Sequence, residues 1–318
     1  MDITVVICTY NRCESLSETL ESLRKQEFLT QFDYEIIVVD NNSKDKTKEK
    51  VFSYMPKFSG RLKYVLEPRQ GLSYARNRGI LESNGKVIAF TDDDVIVDKK
   101  WLSNIMLAFE KSNSACIGGR IYPVWESKIP EWVSSKFYGK LALLDYGDNS
   151  FEIKSEDFEL FGANLIIDND CFKKHGLFRT DIGRKGKRLF SGEDSAYVKL
   201  LLEKKEKVIY DPSIIVNHKI SKERLVKSYF RKWSFDGGIS YAELEINDKN
   251  IKTILSIPRY MIKQAVKCFG FYLISLLRHK KKETFFYECR MLFYISFFCS
   301  KMKKMLLRFV KLFYLRKI

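Results

Sequence analysis

Residues 3–12 read ITVVICTYNR, and this stretch decides how the amino-terminal half of the chain folds. Its first six residues are a short β-branched run, which is typical of a strand buried on both faces of a parallel sheet. Four polar residues, Thr9, Tyr10, Asn11 and Arg12, follow at once and would lie at the carboxyl end of that strand. Ligands bind at the carboxyl ends of the strands in such sheets. The first loop is therefore a candidate binding loop.

Strand and helix patterns alternate over the rest of the first hundred residues. Strands are predicted at 34–39, 62–66 and 87–90, and helices at 15–25, 44–55 and 72–81. Farther along, the pattern predicts helices at 101–111, 195–204 and from 222 to about 233, and strands at 115–121, 159–167, 208–211 and 214–218. Alternating elements with short connections predict an α/β fold, with a doubly wound sheet flanked by helices.

The composition and the distribution of charge narrow the class of protein. Hydrophobic residues make up 45% of the 318, which excludes collagen-like, low-complexity and wholly disordered chains. The formal charge of +16 belongs to the tail, because residues 251–318 hold sixteen Lys or Arg against two acidic residues. Residues 1–250 then carry only +2. The function of the basic surplus must therefore be sought in residues 251–318.

The cysteines and the start of the chain bear on the compartment. Seven cysteines, an odd number without a CxxC pair, argue against a disulfide framework or a zinc cluster and favour a reducing compartment. The chain starts Met-Asp and runs straight into the first predicted strand, without the basic and long apolar regions of a signal peptide. We therefore expect a cytoplasmic protein.

Three successive carboxylates, Asp92, Asp93 and Asp94, follow the predicted strand at 87–90. Such close charges repel one another unless a cation or strong hydrogen-bond donors compensate them. A divalent cation, Mg²⁺ or Mn²⁺, is the natural partner, held by one or two carboxylates and the oxygens of a substrate phosphate. The alternative is a solvated acidic turn or a helix cap, which is the commoner case for an isolated triplet of aspartates.

Five short clusters occur in one order along the chain, each after a strand or in a loop. They are TVVICTYNR, VVDNNSKD, GLSYARNRG, FTDDDV and GEDS. With these clusters, the chain resembles the family 2 glycosyltransferases, inverting enzymes with the GT-A nucleotide-sugar fold, over roughly residues 1–235. The likeness is to non-processive bacterial members that build surface polysaccharide or glycoconjugates, because YFRKW at 229–233 departs from the QxxRW pattern of processive members. The resemblance implies a GT-A mixed sheet flanked by helices.

The resemblance also assigns residues to the nucleotide-sugar donor and to a metal ion. Those implied around the base, the ribose and the segment that closes over the nucleotide are Thr9, Tyr10, Asn11, Arg12, Asp40, Asn42, Asp45, Arg76, Asn77 and Gly79. The DxD metal motif of the family matches Asp92 and Asp94. Asp94 would contact the metal and Asp92 the ribose or sugar hydroxyls, while Asp93 is kept with the donor-binding set as a neighbour of unassigned role.

Two further positions match the family with a competing structural interpretation. Gly162 and Asn164 resemble the stretch that lines the donor sugar in related enzymes, and they could equally be the small-residue start of a strand. His218 matches a histidine that contacts the metal or the diphosphate in some members. A histidine with a purely structural role is nearly as common.

Sugar transfer with inversion needs two separate carboxylate functions. The acceptor hydroxyl is a weak nucleophile and needs a base within hydrogen-bond reach, whereas the leaving diphosphate needs the positive charge that a metal ion supplies. In the family pattern the carboxylates that serve the acceptor match Glu193 and Asp194. Asp194 would be the base, and Glu193 would orient the acceptor or the loop. The same acids suit the first turn of a helix, and the two interpretations are compatible.

The basic tail predicts contact with a membrane. Its uncharged runs, 268–277 and 291–300, are ten residues long, about half of a membrane span. Residues 302–313 place apolar side chains on one helical face and Lys304, Arg308 and Lys311 on the other, as in helices that lie in an anionic membrane interface. The alternatives are a hairpin packed on the catalytic domain or on a second subunit, and a re-entrant helical pair. We expect peripheral association with the inner face of the cell membrane.

The leading hypothesis is a metal-dependent inverting glycosyltransferase that moves a sugar from a nucleotide-diphosphate sugar, expected to be UDP-linked, to a glycan or lipid-linked acceptor. The predicted domains are a GT-A catalytic domain at 1–235, with a nucleotide-binding half at 1–100 and an acceptor half at 101–235, and a helical basic region at 236–318. One alternative is a metal-dependent nucleotidyltransferase, although no Gly-rich loop follows the first strand. The other is a nucleic-acid-binding protein that uses the basic tail, which leaves the carboxylate clusters without a function. We expect no nucleic-acid partner.

Overall fold

The computed structural model describes residues 1–155, 157–184, 192–244 and 252–315, with the backbone alone for residue 244 and residues 307–315. The chain divides into two compact units. The first consists of Met1–Glu126, Leu141–Gly186 and Glu193–Ser221, and the second of Ser127–Lys140, Lys187–Gly192 and Lys222–Ile318. The predicted domain boundary at 235/236 stays a prediction.

Strands and helices have the following bounds. The strands are β1 (Ile3–Thr9), β2 (Tyr34–Asp40), β3 (Leu62–Leu66), β4 (Val87–Asp92), β5 (Val95–Val97), β6 (Cys116–Trp125), β7 (Phe151–Ile153), β8 (Leu165–Asp168), β9 (Val208–Ile220), β10 (Thr253–Ile254) and β11 (Ile257–Pro258). The helices are α1 (Cys13–Arg24), α2 (Thr47–Tyr54), α3 (Leu72–Glu82), α4 (Trp101–Ser112), α5 (Asn169–His175), α6 (Glu193–Glu203), α7 (Lys227–Leu244), α8 (Arg259–Leu277) and α9 (Lys281–Leu315).

Strands β1 to β9 form one mixed sheet in the first unit. Its order is β3-β2-β1-β4-β8-β6-β9-β5, with β7 also paired to β9. The first four strands in this order run parallel, and β8 then joins β4 antiparallel. The chain order reverses between β1 and β4, which is where open α/β sheets bind ligands. The predicted mixed α/β sheet flanked by helices is confirmed.

The burial pattern follows the sequence pattern that predicted these elements. Leu16, Leu20 and Leu23 occupy one face of α1 and are fully buried. The β-branched run of β1 is buried along its length, as expected for a strand covered on both faces. Burial of these apolar side chains fixes the position of β1, and hence of the polar loop after it.

Four predicted elements differ from the structure. The strand predicted at 159–167 is wrong in its first half, because Gly162–Asn164 form a short 3₁₀ helix and the Gly162 N–H donates to Asp194 instead of to a neighbouring strand. The two strands predicted at 208–211 and 214–218 form one strand, β9, whose register shifts opposite Gly119 and Arg120. The shift accommodates Pro212, which cannot donate a hydrogen bond to a neighbouring strand. The helix predicted at 222–233 begins with a 3₁₀ turn at Lys222–Arg224 and then continues as α7 to Leu244.

The second unit is helical. Helices α7, α8 and α9 pack around a core that contains Ala242, Met261, Cys268, Tyr294 and Phe297. Among the described residues, no helix combines the length and the apolar character needed to cross a membrane. The membrane contact predicted at 302–313 stays a prediction, since the side chains from residue 307 onward, including Arg308, Phe309, Val310, Lys311 and Phe313, lie outside the described residues.

Candidate active site

The parallel strands bring three predicted segments to one edge of the sheet. Thr9 at the end of β1 is in register with Asp40 at the end of β2, and Cys8 is in register with Asp92 at the end of β4. The first loop, the Asp40 segment and the aspartate triplet therefore lie side by side, as the sequence predicts from three strand ends.

The first loop is held in a fixed conformation by the segment after β2. Asn11 adopts a left-handed backbone conformation with φ 54°. Its side-chain oxygen accepts a hydrogen bond from the Lys44 N–H at 2.6 Å, and its own N–H donates to Ser43 Oγ at 2.9 Å. Tyr10, next to it, is 42% exposed. A rigid loop that presents an exposed aromatic ring suits the predicted role around a nucleotide base.

Asp40 is buried and held from two sides. Its Oδ1 accepts a hydrogen bond from the Ser43 N–H, and its Oδ2 accepts one from the Tyr64 hydroxyl, both at 2.8 Å. Burial, together with the bond to this carboxylate, raises the pKa of Tyr64. Asn42 follows in a left-handed conformation with φ 66°. Its predicted role beside the nucleotide stays a prediction, as does that of Asp40.

Asp93 is buried and bound to the first loop. Its carboxylate accepts hydrogen bonds from Thr9 Oγ1 at 2.7 Å and from Arg12 Nη1 at 3.1 Å. Burial raises the pKa of Asp93 to about 6, even though Arg12 acts in the opposite direction. The same pairing, above all with Asp93, raises the pKa of Arg12. Asp93 thus anchors the first loop to β4, a role that the sequence left unassigned.

Asp92, Asp94 and His218 form a group with the donor set of a metal site. One ligand atom from each can be chosen so that all three lie within 4.8 Å of one another. His218 Nε2 lies 3.2 Å from Asp94 Oδ1, and it reaches this position because β9 pairs with β5, with His218 opposite Val95. The two carboxylates suit Mg²⁺ or Mn²⁺, and the imidazole adds a nitrogen ligand of the kind that divalent transition metals take. Asp94 and His218, which the sequence predicts as metal ligands, therefore lie together, and Asp92, predicted to contact the donor, joins them.

Arg76 lies buried between the two predicted carboxylate sets. Its Nη1 donates to Glu193 Oε1 at 2.8 Å, and its Nη2 lies 4.0 Å from Asp92 Oδ1. A Cβ atom on Gly162 would lie 1.9 Å from Nη2 of Arg76. Gly162 is therefore required at this position because the guanidinium packs directly on its backbone.

Asp194 and Glu193 begin α6, so the helix-start interpretation holds. The two oxygens of Asp194 accept hydrogen bonds from the N–H groups of Gly162 and Ser195, both at 2.8 Å. Glu193 is buried beside Arg76, and burial raises the pKa of Glu193 against the effect of that cation. Asp194 is partly exposed and Glu193 is not, so only Asp194 remains accessible to a substrate.

Two predicted donor-binding residues have their side chains in hydrogen bonds within the fold. The Asn77 amide exchanges bonds of 2.8 and 3.0 Å with the backbone of Phe178. Asn164 is buried, accepts a bond from Trp101 Nε1 at 2.9 Å and donates to the carbonyl groups of Arg120 and Ile214. Their roles toward the donor stay predictions.

Two residues that the resemblance adds to the set also have structural contacts. Asp45 accepts hydrogen bonds from the N–H groups of Cys13 and Thr47, each at 3.1 Å, and thereby ties the start of α1 to the start of α2. At Gly79 a Cβ atom would lie 2.4 Å from a methyl group of Val6. The glycine therefore allows α3 to pack closely on β1.

Tyr64 and Asn41 were missed by the sequence analysis. Asn41 donates to the carbonyl groups of Glu67 and Arg69 and accepts from the Gly71 N–H at 2.8 Å, so it closes the loop that leads into α3. The contact between Tyr64 and Asp40 could have been predicted from the register of the sheet. Tyr64 lies opposite Val38, and Asp40, two residues beyond Val38, projects from the same face of the sheet.

Comparison with known proteins was made for both sequence and structure. The family model described as glycosyl transferase family 2 matches residues 4–176. A glucosyl-dolichyl phosphate glucuronosyltransferase of Haloferax volcanii is 28% identical, over 79% of this chain and 81% of that protein. The succinoglycan biosynthesis protein ExoM of Rhizobium meliloti is 25% identical, over 77% of this chain and 75% of that protein.

A shorter match and two solved structures complete the comparison. A GalNAc(5)-diNAcBac-PP-undecaprenol β-1,3-glucosyltransferase of Campylobacter jejuni is 35% identical over 33% of each chain. The crystal structure of S. aureus TarS 1-349 in complex with UDP has a TM-score of 0.55 and 18% identity, covering 93% of this chain and 92% of that one. A mannosyltransferase of Pyrobaculum calidifontis, in complex with GDP-Man and Mn²⁺, has a TM-score of 0.56 and 18% identity, covering 76% and 62%. These likenesses confirm the predicted GT-A fold.

Proposed function

The chain belongs to glycosyl transferase family 2, and on that premise we propose that it is an inverting, metal-dependent enzyme that transfers a sugar from a UDP-sugar to a lipid-linked glycan. The observation that carries the proposal is the position of Arg76. One buried guanidinium lies 2.8 Å from Glu193, the neighbour of the proposed base Asp194, and 4.0 Å from Asp92, so the donor-side aspartates and the helix start that carries the base converge on it. Transfer between two bound substrates needs such convergence.

Asp92, Asp94 and His218 would hold a divalent ion. The convergence of their ligand atoms within 4.8 Å and the chemistry of the donor set fit Mn²⁺ or Mg²⁺. When bound, the ion would supply Lewis-acid stabilisation of the diphosphate that leaves the sugar. Arg12 would add a cation from the protein itself, because its side chain is 42% exposed while Asp93 and Asp94 hold the guanidinium in place.

Asp194 would act as the general base. The N–H groups of Gly162 and Ser195 orient its carboxylate, and its partial exposure leaves it accessible to an acceptor hydroxyl. Removal of the hydroxyl proton by a carboxylate as the sugar–diphosphate bond breaks is the step that inversion requires. Glu193 would hold Arg76 in place, since a buried side chain cannot contact the acceptor.

The class of acceptor is inferred from the relatives. One acts by name on a glucosyl-dolichyl phosphate, one on an oligosaccharide linked through diphosphate to undecaprenol, and one belongs to succinoglycan biosynthesis. Two of these names give a polyisoprenyl-linked saccharide as the acceptor, and the third places its protein in the biosynthesis of succinoglycan, a polysaccharide. A polyisoprenyl-linked glycan of surface polysaccharide biosynthesis is therefore the proposed acceptor.

The test is a transfer assay with the purified full chain. A panel of UDP- and GDP-sugars is incubated with polyprenyl-diphosphate-linked saccharides, with Mn²⁺, with Mg²⁺ or with EDTA, and the anomeric configuration of the product is read by NMR. We expect turnover of a UDP-sugar, inverted configuration and loss of activity in EDTA that Mn²⁺ restores. Full activity in EDTA would reject metal dependence, and a retained configuration would reject inversion.

A matched pair of variants locates the ion. Asp94→Asn should weaken Mn²⁺ binding in the presence of UDP by about tenfold or more, as loss of a ligand contact does. Asp33→Asn, at an exposed aspartate outside the group, should leave it unchanged. Equal affinities in the two variants, measured by calorimetry, would move the metal site elsewhere.

A further inference from the structure

Helix α8 has a narrow buried face. Met261, Cys268 and Ser275 are buried at intervals of seven residues, which is one stripe along the helix. Met261 and Cys268 belong to the core shared with α9. Elsewhere on α8, Gln264 accepts a hydrogen bond from the Tyr294 hydroxyl and Phe271 stacks on Tyr287, while most apolar side chains of its carboxyl-terminal half stay exposed.

The carboxyl-terminal half of α8 presents apolar side chains outside this stripe. Between 43% and 81% of each is exposed, and together we name them the apolar patch of α8: Phe269, Phe271, Leu273, Ile274, Leu276 and Leu277. A contiguous apolar surface of this kind marks an interaction site rather than ordinary scattered exposure. Gly270 lies among them with no atom within 4 Å of the position of a Cβ, so the surface there is open.

Cations flank the apolar patch along the chain on both sides. Arg259, Lys263 and Lys267 are exposed on the first half of α8, and Arg278, Lys280, Lys281 and Lys282 follow its last turn. No acidic residue occurs anywhere in 251–282. The occupant of this face must therefore offer both apolar volume and negative charge.

We propose that the outward face of α8, the apolar patch with its flanking cations, lies in the interface of an anionic lipid membrane. Apolar side chains then enter the acyl boundary while lysine and arginine side chains reach the lipid phosphates. A second copy of the chain fits less well, because a symmetric contact would bring the same cations together. Nucleic acid would satisfy the cations but not the six apolar side chains.

The membrane contact predicted at 302–313 stays a prediction, and α8 is added to it as a second contact. The α8 proposal rests on the proposed function in one respect, since a lipid-linked acceptor gives membrane binding a purpose. Binding to vesicles is measured without donor or acceptor, so a failure of the proposed activity and a failure of this proposal give separate results.

The experiment measures co-sedimentation of the full chain with vesicles of phosphatidylglycerol and phosphatidylcholine, or of phosphatidylcholine alone. We expect binding to the anionic vesicles only, and a loss of about tenfold or more in Leu273→Asn/Leu277→Asn because two apolar side chains leave the acyl boundary. Lys263→Glu/Lys267→Glu should also weaken binding, in proportion to the anionic lipid content.

Matched controls separate this face from general properties of the surface. Leu81→Asn/Leu107→Asn changes two leucines of the first unit with similar exposure, 70% and 42% against 81% and 43%, and should bind as the wild type does. Lys111→Glu/Lys174→Glu reproduces the charge change on exposed lysines of the first unit. Circular dichroism verifies that each variant is folded.

Three outcomes would overturn the proposal. One is an unmodified chain that does not bind anionic vesicles. Another is equal binding by the α8 leucine variant and its control. The third is a dimer, detected by ultracentrifugation, that the α8 leucine substitutions dissociate, since this would assign the patch to a second copy.

Discussion

The Arg76 guanidinium donates to Glu193 Oε1 at 2.8 Å, although the two residues lie 117 positions apart. Both side chains are buried, at 5% and 4% exposure. The pair joins α3 to the start of α6, and so it couples the predicted nucleotide-binding half, residues 1–100, to the turn that carries Asp194. Burial of a charged pair is costly unless both partners stay in place, so this contact is a sensitive point for substitution.

Substitution of Arg76 should therefore be strongly destabilising. Arg76→Met leaves Glu193 buried without its cation, and we expect a loss of about 3–5 kcal/mol in the free energy of unfolding. Arg78→Met on the same helix breaks the exposed pair with Glu82 and should cost no more than about 1 kcal/mol. Urea denaturation compares the two variants. Similar losses in the free energy of unfolding would mean that the buried pair contributes no more to stability than the exposed pair.

A methyl group at position 162 should disturb the same guanidinium. Gly162→Ala places a Cβ 1.9 Å from the present position of Arg76 Nη2, and we expect a cost of about 1–3 kcal/mol from overpacking. Gly270→Ala on α8 is the matched control, because it meets no atom within 4 Å and should stabilise the helix by up to about 1 kcal/mol. Thermal unfolding measures the stability of both variants. An unchanged stability of Gly162→Ala would contradict the close packing of Arg76 on Gly162.

Asp194 should be needed for transfer but not for binding of the donor. Asp194→Asn keeps the shape of the side chain and removes the base, so we expect turnover to fall by about 10²–10⁴-fold. The dissociation constant for UDP with Mn²⁺ should stay unchanged. Asp170→Asn, at an exposed aspartate paired with Lys173, should retain full turnover. Normal turnover by Asp194→Asn would remove this residue as the base.

Lys140 makes the stability of the second unit depend on pH. Burial lowers the pKa of Lys140 to about 8, with a smaller contribution from Arg290 in the same direction. In the unfolded chain this lysine binds a proton up to about pH 10.4. The unfolded state then holds more protons between about pH 8 and pH 10.4, so stability rises with pH across that window.

Lys140→Met tests this relationship. The variant should be more stable than the wild type at pH 7, where the full cost of the buried charge is present, and the difference should shrink as the pH rises from 8 to 10. Lys140 also donates to Ser234 Oγ and lies 5.1 Å from the centre of the Trp233 ring, and loss of these contacts reduces the gain. Lys136→Met, at an exposed lysine, is the control. A difference in stability between Lys140→Met and the wild type that does not change with pH would contradict the lowered pKa of Lys140.

The sequence predicted the elements whose patterns are local. The β-branched runs at 3–8 and 34–39 and the leucine spacing of α1 mark these elements to within about two residues, because burial of each depends on its own side chains. Asp92, Asp94 and His218 were identified through the family resemblance, and Asp92 and Asp94 also lie at the end of a predicted strand. Strand ends can be placed from sequence, and parallel strands bring them to one edge.

The remaining features depend on contacts between distant segments. The family resemblance placed Glu193 near the acceptor or its loop, and nothing in the local sequence indicates that the side chain is buried beside Arg76. The 3₁₀ turn at Gly162–Asn164 likewise follows from the position of Asp194, which lies 32 residues beyond Gly162. Which face of α8 is exposed can be recognised only from the packing of α9 on the opposite face.

The pairing of β5 with β9 has a consequence for the order of folding. His218 joins Asp94 only because β9 adds to the sheet opposite Val95, more than a hundred residues farther along the chain. We expect contacts with such large sequence separation to form after the local strand–helix units, because the longer loop costs more entropy to close. A partly folded chain would then have the two aspartates without the histidine. High-affinity binding of the ion would then report that the sheet is complete, and refolding in Mn²⁺ would favour that last step.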